Sequence, residues 1–186
     1  MSETIRFTKR EGVAEGTMAF YFSRPSGFEF RAGQAIDLTL IDPPKTDAEG
    51  DVRTFTIASA PFEEHLMIAT RMRNSAFKHV LRDAPEGLQL KMDGPSGSFN
   101  LHKNTAKPAV FLAGGIGITP FLSIVRQAAK AGQRRSLYLF YSNRRPEDSA
   151  FLGEFGEATT NDSGFHFIPT MTTMDTSRRQ WTGETG

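Results

Sequence analysis

The chain changes its hydrophobic period once, near residue 108, and that change limits the folds open to it. Before it, apolar and polar residues alternate. In Gln34-Ala-Ile-Asp-Leu-Thr-Leu40, Ile36, Leu38 and Leu40 share one face while Asp37 and Thr39 share the other. Thr17-Met-Ala-Phe-Tyr-Phe22 repeats the pattern. After it, Ala109-Val-Phe-Leu-Ala113 is a continuous apolar run, the kind found in a parallel sheet covered on both faces. An alternating half followed by a continuous half predicts two different kinds of layer in one chain.

The alternating half reads as short strands punctuated by turns. Thr17–Phe22, Gln34–Leu40, Val52–Ser59, Leu66–Met72 and Leu88–Met92 are the strand segments, the last counted as the sixth of its sheet. Ser26-Gly27, Arg31-Ala-Gly33 and Gly94-Pro-Ser-Gly97 are turn chemistry. Asp42 to Gly50 is a polar excursion with no core residue. Ser75 can cap a short helix over Ala76–Asp83. The expectation is a six-stranded antiparallel β-barrel over residues 1–103.

Lys103-Asn-Thr-Ala-Lys-Pro108 is the expected boundary, and residues 108–186 read as an α/β layer. Strand Ala109–Ala113 leads into a helix with Thr119 as N-cap, Pro120 at the first helical position and Gly132 at the end. Leu122, Val125 and Ala129 share one face of it. Strand Ser136–Tyr141, a helix around Ser149–Glu157 and strand Phe165–Ile168 complete a nucleotide-binding half-sheet. Trp181–Gly186 reads as a loop. Three parallel strands are few for such a layer, so the layer is expected to be incomplete, with an edge of its first strand exposed.

Composition narrows the function classes. A net charge of +1 gives no electrostatic reason to expect nucleic acid. The chain has no cysteine, which excludes disulfides, thiolate nucleophiles, thiolate zinc and an all-cysteine iron–sulfur cluster within it. That usage fits a reducing compartment, and a cytoplasmic location is expected. The N-terminus has no apolar signal core. Pro108 to Val125 carries no charge and is almost long enough to cross a bilayer, but three glycines and Pro120 interrupt it. No membrane span is expected.

Two segments carry the chemistry. In Arg53-Thr-Phe-Thr-Ile-Ala-Ser59, Phe55 and Ile57 point one way and Thr54 and Thr56 the other. A flavin needs a planar cationic fork for its phosphates, an apolar wall for its ring and hydroxyl partners for its ring nitrogens; Arg53, Phe55 and Thr56 can supply these in turn. A plain barrel strand with an exposed arginine has the same spacing. Ala69-Thr70-Arg71, followed by Ser75-Ala76 opening a helix, offers a cation and free backbone N–H groups suited to a diphosphate. The alternative is an ordinary strand-to-helix turn.

The second segment is Gly114-Gly115-Ile-Gly117-Ile-Thr119-Pro120. It is not the dinucleotide fingerprint, yet its glycines let backbone pass close to a ligand and turn into a helix N-terminus. Thr119 sits where its hydroxyl can face that ligand. Ser142-Asn-Arg144-Arg145 lies at the carboxyl end of the second parallel strand, where adenosine ribose is read. A serine and two arginines suit a 2′-phosphate better than a free hydroxyl.

These residues resemble the ferredoxin-NADP reductase superfamily over nearly the whole chain. That family pairs a flavin-binding barrel with a nucleotide-binding α/β domain. Its Arg-x-Tyr-Ser/Thr motif is matched by Arg53-Thr-Phe-Thr56, with Phe55 in place of the tyrosine, so one hydrogen bond to the ribityl chain is missing. Its Gly-Gly-x-Gly-x-Thr-Pro signature is matched in full by Gly114–Pro120. The resemblance implies Arg53 at the flavin phosphates, Phe55 against the ring, and Thr56 near the reactive flavin nitrogen. It implies Thr119 near the nicotinamide. Gly94–Phe99 is similar to the family's turn closing the barrel, and Trp181–Gly186 to its late loop. The family normally continues past that loop, with a cysteine–glycine segment and a terminal aromatic that have no counterpart here.

The reading that follows is an FAD-dependent oxidoreductase, with FMN as the alternative flavin and NADPH or NADH as co-substrate. Hydride would pass to the flavin, and electrons to a separate acceptor such as ferredoxin, flavodoxin or a small molecule. Thr56 and Thr119 are its catalytic candidates; His65, His79, His102 and His166 are isolated and no acid–base group is needed. The alternatives are a non-catalytic flavin-holding docking or regulatory module, a fold kept for interaction alone, and the reductase part of a larger electron-transfer protein.

Overall fold

A computed structural model describes residues 2–132, 135–161 and 164–186. Met1, where the N-terminal reading begins, lies outside them. Strands β1 (Glu3–Ala14), β2 (Thr17–Ser23), β3 (Ala35–Leu40), β4 (Val52–Thr56), β5 (His65–Arg71) and β6 (Gln89–Ser96) form one antiparallel sheet. Their order is β4-β3-β6-β1-β2-β5. The two ends of this sheet come together where the Ala58 N–H donates to the Met67 carbonyl at 2.7 Å, so the sheet curls into a barrel. Helix α1 (Ala76–Asp83) plugs it through Phe77 and Leu81.

The alternation predicted from sequence is the burial pattern observed in β3 but not in β2, where Ala19 to Phe22 are buried in succession because α2 covers the second face. Ile36, Leu38 and Leu40 are buried and the intervening residues half-buried. Phe7, Phe20, Phe22, Phe55, Ile68 and Leu90 fill the same core. Two expectations are corrected. The strand not placed from sequence is β1, whose only buried residues are Ile5 and Phe7. The last strand does not stop at Met92 but runs through Gly94 and Pro95 to Ser96.

The second sheet is parallel: β7 (Ala109–Gly114), β8 (Leu137–Asn143), β9 (Phe165–Met171) and β10 (Glu184–Thr185), in the order β10-β9-β8-β7. Trp181–Gly186 is therefore not wholly loop, since Glu184 and Thr185 pair with Thr170 and Met171. β7 is an edge strand, and the outward side chains Val110 (61% exposed) and Leu112 (75% exposed) leave one face of it uncovered. Helix α3 (Leu152–Asn161) begins later than expected, after a 3-10 turn at Pro146–Asp148 and Phe151 at φ +61°.

Helix α2 (Thr119–Lys130) joins the two layers. Phe121 to Val125 are buried at five consecutive positions, which no one-sided amphipathic helix allows. One flank meets Phe111 of β7, with ring centroids 4.9 Å apart. The other belongs to a cluster with Ala19, Tyr21, Ala58, Met67 and Ala69, the outer face of the barrel. Small residues at 19, 58 and 69 let the helix lie close. The Ser123 hydroxyl donates to the Ser59 carbonyl at 2.7 Å, and the Ser59 hydroxyl accepts from the Met67 N–H at 3.0 Å. Ala129 is exposed; Ala128 takes the buried place expected for it.

The turn after Phe30 is fixed by Gly33. Its φ is +98°, and a Cβ there would stand 2.0 Å from the Phe99 carbonyl oxygen. Gly33→Ala should therefore cost about 3 kcal/mol or more, the sum of backbone strain and displaced main chain. A chemical-denaturation midpoint unchanged from the parent would refute this.

Candidate functional site

The strand β4, the β5–α1 turn and the start of α2 converge on one cleft of about 560 Å³. Its lining includes Arg53, Thr54, Phe55, Thr56, Ala69, Thr70, Ser75 and, from the other layer, Gly117 and Thr119. The two sequence motifs thus face a common crevice between barrel and sheet. Thr56 is half-buried and Thr119 buried within it. The Phe55 ring turns into the barrel, 5.8 Å from that of Phe77, so it presents little of itself to the cleft. The Thr54 hydroxyl is bonded to Asp37.

The phosphate-type corner is cationic. Arg53 is pinned by three carbonyls, donating Nη1 to Glu49, Gly50 and Val52 at 2.8 to 2.9 Å. Its Nη2 reaches the Glu49 carboxylate at 2.8 Å and that of Asp47 at 3.3 Å. Lys78 and Arg73 stand nearby without carboxylate partners among the described residues. Burial, reinforced by the positive neighbours Arg73 and Arg53, pulls the Lys78 ammonium below its ordinary pKa. Ser75 occupies the N-cap position of α1, but its hydroxyl makes no cap bond and is buried without a partner. The Ala76 N–H instead donates to Asp47 Oδ2 at 2.7 Å. A carboxylate held between a guanidinium and a helix N-terminus stands in for an anionic ligand, and a phosphate fits the same donor set.

A second cleft of about 350 Å³ adjoins the first and shares Arg73 and Ile116 with it. Its walls are Gly114, Gly115, Ser142, Asn143, Arg144 and Arg71. Arg71 is thus on this side, not in the diphosphate corner expected for it; its guanidinium reaches the Asp148 carbonyl at 3.4 Å. Gly115 has φ +51°, and a Cβ on Gly114 or Gly117 would meet no atom within 4 Å. Backbone is bare there, which is what close approach of a diphosphate requires.

Thr119 does not cap α2. Residues Gly115–Ile118 form a 3-10 turn that runs straight into the helix, and the Thr119 hydroxyl turns back to the Ile116 carbonyl at 3.3 Å. Arg145 is not free either: it binds Asp148 through two hydrogen bonds of 2.9 Å and reaches Glu15 at 3.3 Å. Arg144 alone of the pair has no ion-pair partner among the described residues. Arg73, Asn74, Lys78 and Ile116 escaped the sequence reading, although Arg73 and Asn74 sit between two segments it had singled out.

Elsewhere His65 pairs with Glu63 at 3.2 Å and His166 stacks on Tyr138 with ring centroids 4.5 Å apart. Among the described residues no cluster of three potential metal ligands exists, and no helix is long and apolar enough to cross a membrane.

A barrel and a parallel sheet sharing a two-part cationic crevice define a class of two-layer, two-cleft proteins. Residues 111–186 match the family model described as the oxidoreductase NAD-binding domain. The chain is 30% identical over 145 residues to the reductase component of propane 2-monooxygenase from Rhodococcus jostii, covering 77% of this chain and 38% of that protein. It superposes on the Amycolatopsis cytochrome P450 reductase GcoB with a TM-score of 0.82 at 22% identity, covering 100% of this chain and 55% of that one. A ferredoxin NADP+ reductase from Neisseria gonorrhoeae with bound FAD and NADP gives a TM-score of 0.77 at 22% identity, covering 100% and 72%. The chain is similar over most of its length to reductase components of oxygenases and to ferredoxin-NADP reductases. It spans 38% to 46% of the length of seven curated relatives that it matches.

The Asp148–Arg145 pair beside the second cleft gives a pH test. The hydrogen bond from Arg145 holds the Asp148 carboxyl below the usual carboxylate range. A depressed native pKa contributes stability above the unfolded value of about 3.9 and loses it as pH falls through the native value. Asp148→Asn should lower Tm by roughly 2–4 °C at pH 7, about 1 kcal/mol in a chain this size. The gap should close as pH approaches about 3. A constant gap across that range would refute the ionic origin.

Proposed function

We propose that this chain is the flavin- and nucleotide-binding part of an FAD-dependent NAD(P)H oxidoreductase. The observation that carries it is the common crevice into which Arg53, Thr56 and Thr119 all open. When bound there, the flavin supplies the redox chemistry, accepting a hydride from the nicotinamide and releasing electrons to an acceptor.

The chain's own residues bind and orient. Arg53, Lys78 and the Ala76 N–H form the phosphate cradle; Ser75 has a spare hydroxyl beside it. Thr56 offers a hydroxyl on the cleft side of β4, and Thr119 closes the opposite wall. In this reading Ala69 and Thr70 flank the cradle, and Gly114, Gly115 and Gly117 give the nucleotide bare backbone. Ser142 and Arg144 read the adenosine ribose, with Arg71 in support, and the guanidinium of Arg144, unpaired among the described residues, favours NADPH over NADH. The flavin part extends through residue 103 and the nucleotide part starts at 108; residues 97–108 contain no strand or helix.

The Neisseria relative's bound FAD and the two-sided phosphate corner favour FAD over FMN. The named relatives include reductase components of oxygenases, which supports an electron-acceptor protein such as a ferredoxin or an oxygenase partner. A docking module that holds flavin without turnover is the second reading, favoured by the loss of one hydrogen bond at Phe55.

Purified protein loaded with FAD should be yellow and should bleach on anaerobic addition of NADPH; a yellow protein that does not bleach would favour the docking module. Arg53→Ala should weaken FAD binding roughly 10- to 100-fold, the worth of a charge-assisted hydrogen-bond set. Flavin affinity unchanged in the variant would remove Arg53 from the phosphate role.

A further inference from the structure

The polar excursion between β3 and β4 has no core residue, yet it reaches the cationic corner of the first cleft. From Ile41 to Gly50 every side chain is exposed except those of Pro43 and Asp47, which are half-buried. The segment is held shut by its own turns, with the Gly50 N–H on the Asp47 carbonyl at 3.0 Å and the Glu49 N–H on Asp47 Oδ1 at 3.0 Å. Its attachments beyond itself are made by charge. Asp47 Oδ2 accepts from the Ala76 N–H at 2.7 Å and Oδ1 from Arg53 at 3.3 Å, while Glu49 adds its carboxylate to Arg53 at 2.8 Å. The carboxylate thus takes the two donors that the proposed phosphate cradle would use.

We infer that the segment 41–51 is an intramolecular plug, in which the Asp47 carboxylate occupies the phosphate position and must be displaced when a phosphorylated ligand enters. The inference rests on the flavin reading above for the identity of that ligand, but not for the displacement itself. An exchange of this kind is physically easy. The segment's one inward apolar side chain is the half-buried Pro43, so little apolar surface would have to be exposed again, and one anion replaces another at the same guanidinium and the same helix N-terminus. The Ser75 hydroxyl, buried without a partner while Asp47 is in place, gains one when a ligand with more oxygens than a carboxylate arrives. Flavin affinity is then the difference between two anions competing for one cradle. A ligand without phosphate gains nothing from removing the competitor.

The test uses the protein as it exists, with and without Asp47→Ala. Fluorescence titration should show FAD binding the variant about 5- to 20-fold more tightly than the parent, while riboflavin, which lacks phosphate, binds both alike. Equal or weaker FAD binding by the variant would overturn the plug and leave Asp47 as a structural cap. Limited trypsin digestion gives a readout that does not need flavin. Lys45 is exposed and followed by Thr46, so it is cleavable. Inorganic pyrophosphate should speed cleavage after Lys45 in the parent several-fold, and Asp47→Ala should be cut fast with or without it. Accelerated cleavage with no FAD binding in either protein would keep the plug and sink the flavin reading. FAD binding that Asp47→Ala does not tighten, with cleavage indifferent to pyrophosphate, would do the reverse.

Discussion

The burial of helix α2 on two sides at once is the constraint on which the rest of the molecule depends. A helix that served only the parallel sheet would show one apolar stripe, and the barrel would hang from a linker. Instead Phe121–Val125 are buried in succession, and the barrel offers alanines at 19, 58 and 69 where larger side chains would hold the helix away. Polar ties fix the register of this contact. Ser123 bonds the Ser59 carbonyl at the end of the flavin-type motif, and Arg126 reaches Glu63 from the barrel and Glu154 from α3. Because α2 begins at Thr119, positioning the helix also positions the wall of the cleft opposite Thr56. The geometry between the two clefts is therefore set by core packing.

Electrostatics follows the same division of labour. The chain is nearly neutral at +1, yet both clefts are cationic. The acids are spent elsewhere: Asp148 and Glu15 on Arg145, Glu63 and Glu154 on Arg126, Glu15 again on Arg178. Arg71, Arg73, Arg144 and Lys78 are left without carboxylates among the described residues and all line the crevice. Field at the site arises from which cations are left unpaired, so net charge predicts little about it.

Much of this was legible in the chain. Period-two alternation located β3, which buries one face in the barrel core, and also β2, although both faces of β2 are buried, one in the barrel core and one against α2; the apolar run at 109–113 gave β7. The failures have local physical causes. β1 buries only Ile5 and Phe7 before both of its faces meet solvent, so it carries three residues of pattern in twelve. β10 is two exposed residues whose strand character comes wholly from pairing with β9. The capping assignment at Thr119 failed because the glycines form a 3-10 turn that leaves no extended residue before the helix; Ile118 is already helical at φ −68°. Arg145 was indistinguishable from Arg144 by sequence, and only the reach to Asp148 separates them. Asp47 was invisible for the plainest reason, since its partner N–H lies 29 positions away.

That last contact changes how the flavin-type motif is understood. An arginine at the head of a strand, followed by hydroxyls, describes the cradle but not its ground state. In this fold the guanidinium of Arg53 is already oriented by the Glu49 and Gly50 carbonyls of the segment that also delivers the competing carboxylate, and by the carbonyl of its own neighbour Val52. Pre-organisation and competition therefore come from one stretch of chain. Removing the stretch would free the site and at the same time release the arginine that defines it, whereas changing the single carboxylate separates the two effects. A cradle built this way keeps the charge of Arg53 compensated when empty, and that compensation is given up only to a ligand that offers a better anion.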